Sequence, residues 1–339
     1  MRQVPVDKLL SRVELKTSLQ EVADVVSKDF ELGKKISVIP MPVGYEELNC
    51  LLATTKGKFV VKIFSKAKSL TVINSNISAL TNFASEGVPV PKLHKSSSGE
   101  YLFTTSSNPN AYLIVMDFFD GKKFTEITPS LKDMQAVANF LSIINSLSFP
   151  INSNYDMWLT INLLKEFADK KGHLIPSDLG LIAPVISDLE TIDYSQLSKS
   201  IVHYDLHREN AMKNPAGEYC ILDLASVDYN FTVFDLATFL ALFCVDPSTY
   251  KSVVQSYLNG HSLSEYELSL LPLLIKATYS SNLLTSSYLQ KTHQDENPEQ
   301  SLYYQNMGRE GLRMLKSQSL HILWSFNLLI LTISLWLGK

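Results

Sequence analysis

Ile201-Val202-His203-Tyr204-Asp205-Leu206-His207-Arg208-Glu209-Asn210 is the stretch from which the rest of the chain can be read. A β-branched pair leads into His-x-Asp, and an Asn follows the Asp five residues on. Thirteen residues beyond Asn210, the apolar run Tyr219-Cys220-Ile221-Leu222 delivers a second acid, Asp223. A plain polar loop between two buried strands would explain the apolar flanks. It would not explain four residue types falling at these spacings. One carboxylate suited to accept a proton, with an amide oxygen and a second carboxylate suited to a hard divalent cation, is a chemical set.

The spacing from Asp205 to Asn210 is that of the kinase catalytic loop H-x-D-L-x-x-x-N, and Asp223 stands where the metal-binding Asp of D-F-G would. Phosphoryl transfer from ATP needs little covalent chemistry and strict positioning. Asp205 is therefore the candidate base for a substrate hydroxyl, and Asn210 and Asp223 are the candidate Mg²⁺ ligands. His203-Tyr204-Asp205-Leu206-His207-x-x-Asn210, Ile221-Leu222-Asp223-Leu224-Ala225 and Phe234-Asp235-Leu236-Ala237 together resemble the aminoglycoside-phosphotransferase-like family of small-molecule kinases. Antibiotic, choline, homoserine and hydroxylysine kinases belong to that family. The resemblance runs from about residue 40 to 315 and is most specific from 201 to 240.

It implies a bilobal, protein-kinase-like α+β fold, with a small antiparallel-sheet N-lobe and a mostly helical C-lobe. It also implies ATP and Mg²⁺ as cofactors and a small-molecule substrate with a hydroxyl acceptor. Within the family, an Asp in the place of Asp235 braces the catalytic loop, and the place of Tyr204 is usually glycine; a phenol there is expected to narrow the substrate pocket. His203 is expected to be structural, bracing the loop by hydrogen bonds. His207 is left between substrate or phosphate contact and a loop cap.

Composition sets bounds around this. Of 339 residues, 45% are hydrophobic and 19% charged, which describes a globular chain with a generous core. A net charge of −4 leaves no basic face for nucleic acid. Cys50, Cys220 and Cys244 lie in apolar runs without metal-ligand spacing and read as buried thiols in a reducing compartment. The first twenty residues hold no apolar core of a secretion signal, so a cytoplasmic location is expected.

Residues 1–117 are expected to form the ATP-binding N-lobe, 118–121 a hinge, 122–318 the helical C-lobe and 319–339 an apolar terminal helix. Apolar positions at helical spacing over 7–30 predict one or two helices. Strands follow at 36–39, 48–53 and 59–64, with Thr55-Lys56-Gly57-Lys58 as a turn. The loop 40–45 would cover the ATP phosphates, with Gly44 as its single glycine. Val60, Lys62 and Phe64 share one strand face. A Lys inside such a run is costly unless its ammonium meets an anion, and ATP phosphate is that anion.

A helix over 70–85, closed by Gly87, would in kinases carry a Glu paired with the strand Lys. Asn76 stands near that place, so Lys62 is expected to be held by Asn76 or by the phosphates alone. Strands at 101–105 and 111–117 run into a hinge where the backbone would bond adenine and the side chains of Met116 and Phe118 would sandwich it. Beyond residue 130 helices predominate, at 131–147, 158–168, 183–189 and 195–197, then from 233 to 244 and at least three more to 316.

Asp156, Trp158, Asp228 and Tyr229 are acidic or aromatic groups suited to an amine-bearing alcohol. The stretch from Asn282 to Leu312 is more similar to the amino-alcohol and amino-acid kinases than to the antibiotic enzymes. Two rivals stay open, an atypical protein kinase and a non-catalytic nucleotide-binding fold. Against the first, no activation loop fits in the twelve residues up to Asp235. Against the second, Lys62, Asp205, Asn210 and Asp223 are all present. Residues 320–337 carry no charge and meet the length of a membrane span, so membrane contact is open only through this tail. Packing on the helical lobe is preferred, because an enzyme of this kind needs no anchor.

Overall fold

A computed structural model describes residues 10–13, 15–41, 47–153, 155–294 and 298–317. Gly44 and the 319–339 tail lie outside the described residues. Among the described residues, no helix is long and apolar enough to cross a membrane. In chain order the elements are α1 (Leu19–Asp29), β1 (Lys35–Pro40), β2 (Leu48–Thr54), β3 (Gly57–Ile63) and α2 (Leu70–Ser85). β4 (Leu93–His94), β5 (Phe103–Thr105), β6 (Asn108–Asp117), β7 (Lys122–Lys123), α3 (Leu131–Ser146), α4 (Leu163–Lys170) and α5 (Pro176–Leu189) follow. Then come β8 (Lys199–Val202), β9 (Ala211–Lys213), β10 (Tyr219–Ile221), β11 (Asp228–Phe231), α6 (Thr232–Phe239), α7 (Tyr250–Leu258), α8 (Glu265–Lys291) and α9 (Pro298–Ser317). The fold is α+β and kinase-like, and the chain divides into two compact units. The first comprises residues up to Lys122 together with Lys213–Ala225; the second comprises Lys123–Met212 and the residues from Ser226 onward.

In the first unit an antiparallel sheet runs β1-β2-β3-β6-β4, with β5 on the side of β6. Its sequence alternates as a half-buried sheet must. Leu48, Cys50 and Leu52 of β2 face Ile63, Val61 and Phe59 of β3, and these pack with Val22, Ala23 and Val26 of α1 into one core. Each of the Leu, Ile, Val and Phe side chains among them, fully buried, contributes roughly 1.5–3 kcal/mol. A capping box between Ser18 and Glu21 starts α1, a helix in the stretch where one or two were expected. The hairpin turn is two residues, Thr55-Lys56, between the paired Thr54 and Gly57. α2 spans Leu70–Ser85 as expected, and Gly87 takes a positive φ of 80° just past its end.

In the second unit α8 is the central helix, packed against α4, α5, α6 and α9. The capping-box carboxylate at its start, Glu267, also accepts the backbone N–H and hydroxyl of Ser198, at 2.7 and 2.5 Å. This ties α8 to the residue that leads into β8 and the polar loop after it. α5 is longer than the 183–189 segment read from the sequence. Pro176 stands at its first turn, where a missing N–H costs nothing, and the helix tolerates Pro184 inside. The segment at 158–168 is a 3₁₀ turn at Thr160–Asn162 followed by α4, and 195–197 is reduced to one 3₁₀ turn at Tyr194–Gln196. β11 was not legible, because its four residues, Asp-Tyr-Asn-Phe, are too short to establish a period and half of them disfavour strands. It pairs antiparallel with β8, Asp228 opposite Val202. After Phe239 the helix widens into a π-helical turn, Leu240–Cys244, and ends at Val245 with φ +63°.

Two glycines let α9 approach α8. A Cβ on Gly308 would lie 2.6 Å from the Tyr279 carbonyl oxygen, and one on Gly311 would lie 2.6 Å from the Tyr279 ring. Gly180 on α5 has open space where its Cβ would be. Gly311→Ala is therefore expected to lower stability by about 1–3 kcal/mol in urea denaturation through overpacking. Gly180→Ala is expected to raise stability by about 0.5–1 kcal/mol through helix propensity.

Candidate active site

In the second unit the loop after β8 is held by one carboxylate. Asp235, fully buried in the first turn of α6, accepts the backbone N–H of His203 on Oδ2 and of Tyr204 on Oδ1, both at 2.8 Å. Asn145 on α3 donates to the same Oδ2 and to the Ile201 carbonyl, each at 2.9 Å. The Tyr257 hydroxyl on α7 in turn donates to Asn145 Oδ1 at 2.7 Å. Burial pushes the Asp235 carboxyl above its ordinary value, while the Asn145 amide, nearby His203 and the two backbone N–H groups oppose this.

Tyr204 takes φ +61°, a left-handed conformation that glycine adopts without strain. This accounts physically for the glycine that the family resemblance implies at that place. The Tyr204 ring is buried, with its hydroxyl toward the Phe231 carbonyl, 3.4 Å away. The expectation that the phenol narrows a substrate pocket gives way to a ring packed into the interior.

The loop turns Asp205 between two polar neighbours. Asn210 Nδ2 lies 2.8 Å from Asp205 Oδ2 and 2.9 Å from its backbone oxygen, and His207 Nε2 lies 3.2 Å from Oδ1. Since His207 Nδ1 accepts from the Glu209 N–H at 3.2 Å, the neutral ring carries its proton on Nε2 and can donate it toward Asp205. These contacts engage the amino end of the Asn210 amide, leaving its oxygen as the end suited to a cation. His203, completely buried, accepts the Asp205 N–H on Nδ1 at 3.3 Å. Arg208 reaches the other way and donates to the carbonyls of Phe243 and Cys244, at 2.8 and 3.4 Å. It ties the loop to the π-helical turn.

The substrate candidates fall into two groups in this unit. Asp228 is buried and accepts from Ser153 Oγ, the Tyr229 N–H and Asn230 Nδ2, at 2.6, 2.7 and 3.1 Å. Tyr229 is exposed. Asp156 accepts the Trp158 N–H at 2.9 Å, and the Trp158 ring lies 5.6 Å from that of Tyr304. Ser281 on α8 donates to the Trp158 carbonyl at 2.9 Å.

In the first unit, one face of the sheet collects the residues expected around a nucleotide. Val60 lies opposite Met116 and Lys62 opposite Ile114, and the Phe118 N–H bonds the Lys58 carbonyl at 3.2 Å. Positions 58, 60 and 62 of β3 and 114, 116 and 118 of the neighbouring strand therefore share a side. Lys62 is held neither by Asn76 nor by phosphate alone. Its Nζ lies 3.7 Å from Oε2 of Glu47, and Lys68 makes an ion pair with Oε1 of the same carboxylate. Asn76 is buried, and its Nδ2 has no hydrogen-bond partner among the described residues.

Glu47 is buried as well. Burial alone raises its carboxyl, but the Lys62 and Lys68 ammonium groups outweigh this and hold it below the ordinary value; the charge of Asp223 acts against them. Asp223 follows β10 and has φ +56°. The hairpin register carried the signal for Glu47. Counted back from Thr54 opposite Gly57, one step beyond Leu48 opposite Ile63 puts Glu47 on the face of Asn49 and Lys62. Asn145, Tyr257 and Arg208 had no comparable signal, being distant in sequence or pointed away from the motif.

The phosphotransferase enzyme family, APH, matches residues 37–267 of the chain. A homoserine kinase of Rhodopseudomonas palustris (strain BisB5) is 24% identical over 275 residues, covering 78% of this chain and 82% of its own length. Choline kinase LicA from Streptococcus pneumoniae superposes with a TM-score of 0.61 at 15% identity, over 87% of this chain and 98% of its own. An amicoumacin kinase in complex with AMP-PNP, Ca²⁺ and Ami superposes with a TM-score of 0.63 at 17% identity, over 91% of this chain and 96% of its own. The chain belongs to this phosphotransferase enzyme family, and it is a small-molecule kinase.

Asp235→Asn would set an amide N–H against one of two backbone donors, and a destabilisation of about 3 kcal/mol is expected in urea denaturation. The depressed Glu47 carboxyl gives a pH dependence with a definite sign. Its contribution is complete above the unfolded value of 4.5 and is lost as pH falls through the lower folded value. Between pH 5.5 and 3.5 the wild type should therefore lose more stability than Glu47→Gln, measured by urea midpoints.

Proposed function

We propose that the chain transfers the γ-phosphoryl of Mg-ATP to a hydroxyl of a small metabolite, an amino alcohol, a hydroxy amino acid or an aminoglycoside-like compound. The carrying observation is the Asp205 carboxylate, flanked by His207 Nε2 and Asn210 Nδ2 on a loop whose backbone is braced by Asp235. Asp205 acts as the base that orients the acceptor hydroxyl and takes its proton. The neighbouring His207 and Asn210 fix the direction of the carboxylate, so that orientation supplies most of its value.

The Asn210 amide oxygen and the Asp223 carboxylate are hard oxygen donors, a set that fits Mg²⁺, which keeps several waters and needs few protein ligands. An ion held by such oxygens would neutralise charge on the phosphates. Lys62 lies on the sheet face with Val60 and Met116, where its ammonium would meet phosphate while Val60, Met116 and Phe118 meet the base. Gly44 belongs to the loop over the phosphates in this proposal. The homoserine and choline kinases among the similar proteins support an amine-bearing hydroxyl compound as acceptor. The aromatic and acidic groups Asp156, Trp158, Asp228 and Tyr229 suit that class. A reducing, cytoplasmic setting agrees with three unpaired, buried cysteines.

ADP release with Mg-ATP against amino alcohols, hydroxy amino acids, sugars and aminoglycosides tests the proposal. Turnover on one class is expected, and Asp205→Asn should lower kcat by about 10²–10⁴-fold with its thermal midpoint kept. Equal turnover in the variant would remove Asp205 from the chemistry.

A further inference from the structure

We propose that Glu47 is the positioning carboxylate for Lys62, taking the part that kinases usually give to a helix Glu, and that it orients Lys68 as a second cation of the same cluster. The proposal rests on Lys62 as a phosphate ligand. Glu47 is 6% exposed, and the side chains of Lys62 and Lys68 are only 16% and 10% exposed. The carboxylate lies between them, one ammonium on each oxygen. A lysine ammonium rides on a flexible four-carbon stem and needs a fixed anion to be oriented before phosphate arrives. On α2, Asn76 offers an amide instead of an anion, and its Nδ2 is buried without a hydrogen-bond partner among the described residues.

Glu47 immediately precedes β2, on the same hairpin as Lys62. Lys62 lies within the β2–β3 ladder and Glu47 one residue before it, so anchor and lysine belong to one hairpin and the orientation of Lys62 does not depend on where α2 sits. In kinases that place the anchor on the helix, the pair forms only when the helix is docked. Here the pair is built into the hairpin. Asp223, close enough for its charge to act on Glu47, completes a group of two ammoniums and two carboxylates within the first unit.

The test is calorimetric titration of the full chain with ATP, and separately with adenosine, both without acceptor. Wild type is compared with Glu47→Gln, Glu47→Asp, Lys68→Met and Lys62→Ala, with thermal midpoints recorded. Glu47→Gln should weaken ATP about tenfold while adenosine stays within about twofold, because only the phosphate contacts lose their orientation. Glu47→Asp should recover part of the loss, and Lys68→Met should weaken ATP without changing adenosine.

Glu47→Gln binding ATP like wild type, or losing ATP and adenosine alike, would overturn the positioning role. Lys68→Met binding ATP like wild type would overturn the part given to Lys68. If Lys62→Ala weakens ATP and Glu47→Gln does not, only this proposal falls. If wild type binds no ATP, or Lys62→Ala binds it unchanged, the role of Lys62 falls and this proposal with it.

Discussion

The acceptance of two consecutive backbone N–H groups by the Asp235 carboxylate is the contact on which the geometry of the loop after β8 depends. A buried carboxylate is costly unless its lone pairs are filled, and here the His203 and Tyr204 amides and Asn145 fill them. The return on that cost is a left-handed Tyr204, a conformation that a bulky residue does not hold unaided. With Tyr204 so turned, the chain reverses after β8, and Asp205, His207 and Asn210 converge within one short loop. Tyr257 and Asn145 extend the bracing to α7 and α3. The loop is thereby over-determined by elements far from it in sequence.

Asp235 and Glu47 solve the problem of buried charge differently. Asp235 is held by neutral donors, which orient the loop and add no net charge to it. Glu47 is held by two ammonium groups, a stronger electrostatic arrangement that lets it remain ionised despite burial. The contrast follows the work each does. A brace for backbone N–H groups needs direction, whereas a group that holds two ammoniums must itself be an anion.

Among the acidic and aromatic candidates, Asp228 has its oxygens occupied by Ser153, Tyr229 and Asn230, and Asp156 caps the turn that carries Trp158. Acidity and aromaticity are both present, but much of the hydrogen-bonding capacity is spent inside the protein. Trp158 meets both α8 and α9, through the Ser281 hydroxyl and the Tyr304 ring, so its place follows from the packing of those two helices. That packing depends in turn on Gly308 and Gly311 lying against Tyr279.

The sequence by itself determined the class. His203, Asp205, Asn210 and Asp223 carry their spacing as a chemical requirement, and β3 and α2 show their periods plainly, so the kinase-like α+β fold was legible. Gly87 and the Thr55-Lys56 turn marked their own positions for the same local reason. Only tertiary structure decided what holds those groups. Glu47 meets Lys62 through β-ladder register, Asn145 meets Asp235 across ninety residues, and Tyr257 meets Asn145 across more than a hundred. β11 exists because β8 is there to pair with it, not because Asp-Tyr-Asn-Phe favours a strand. Spacing along a chain encodes which atoms the chemistry needs. Which buried partner satisfies each of them is set by long-range packing, and a local motif has no means of writing it.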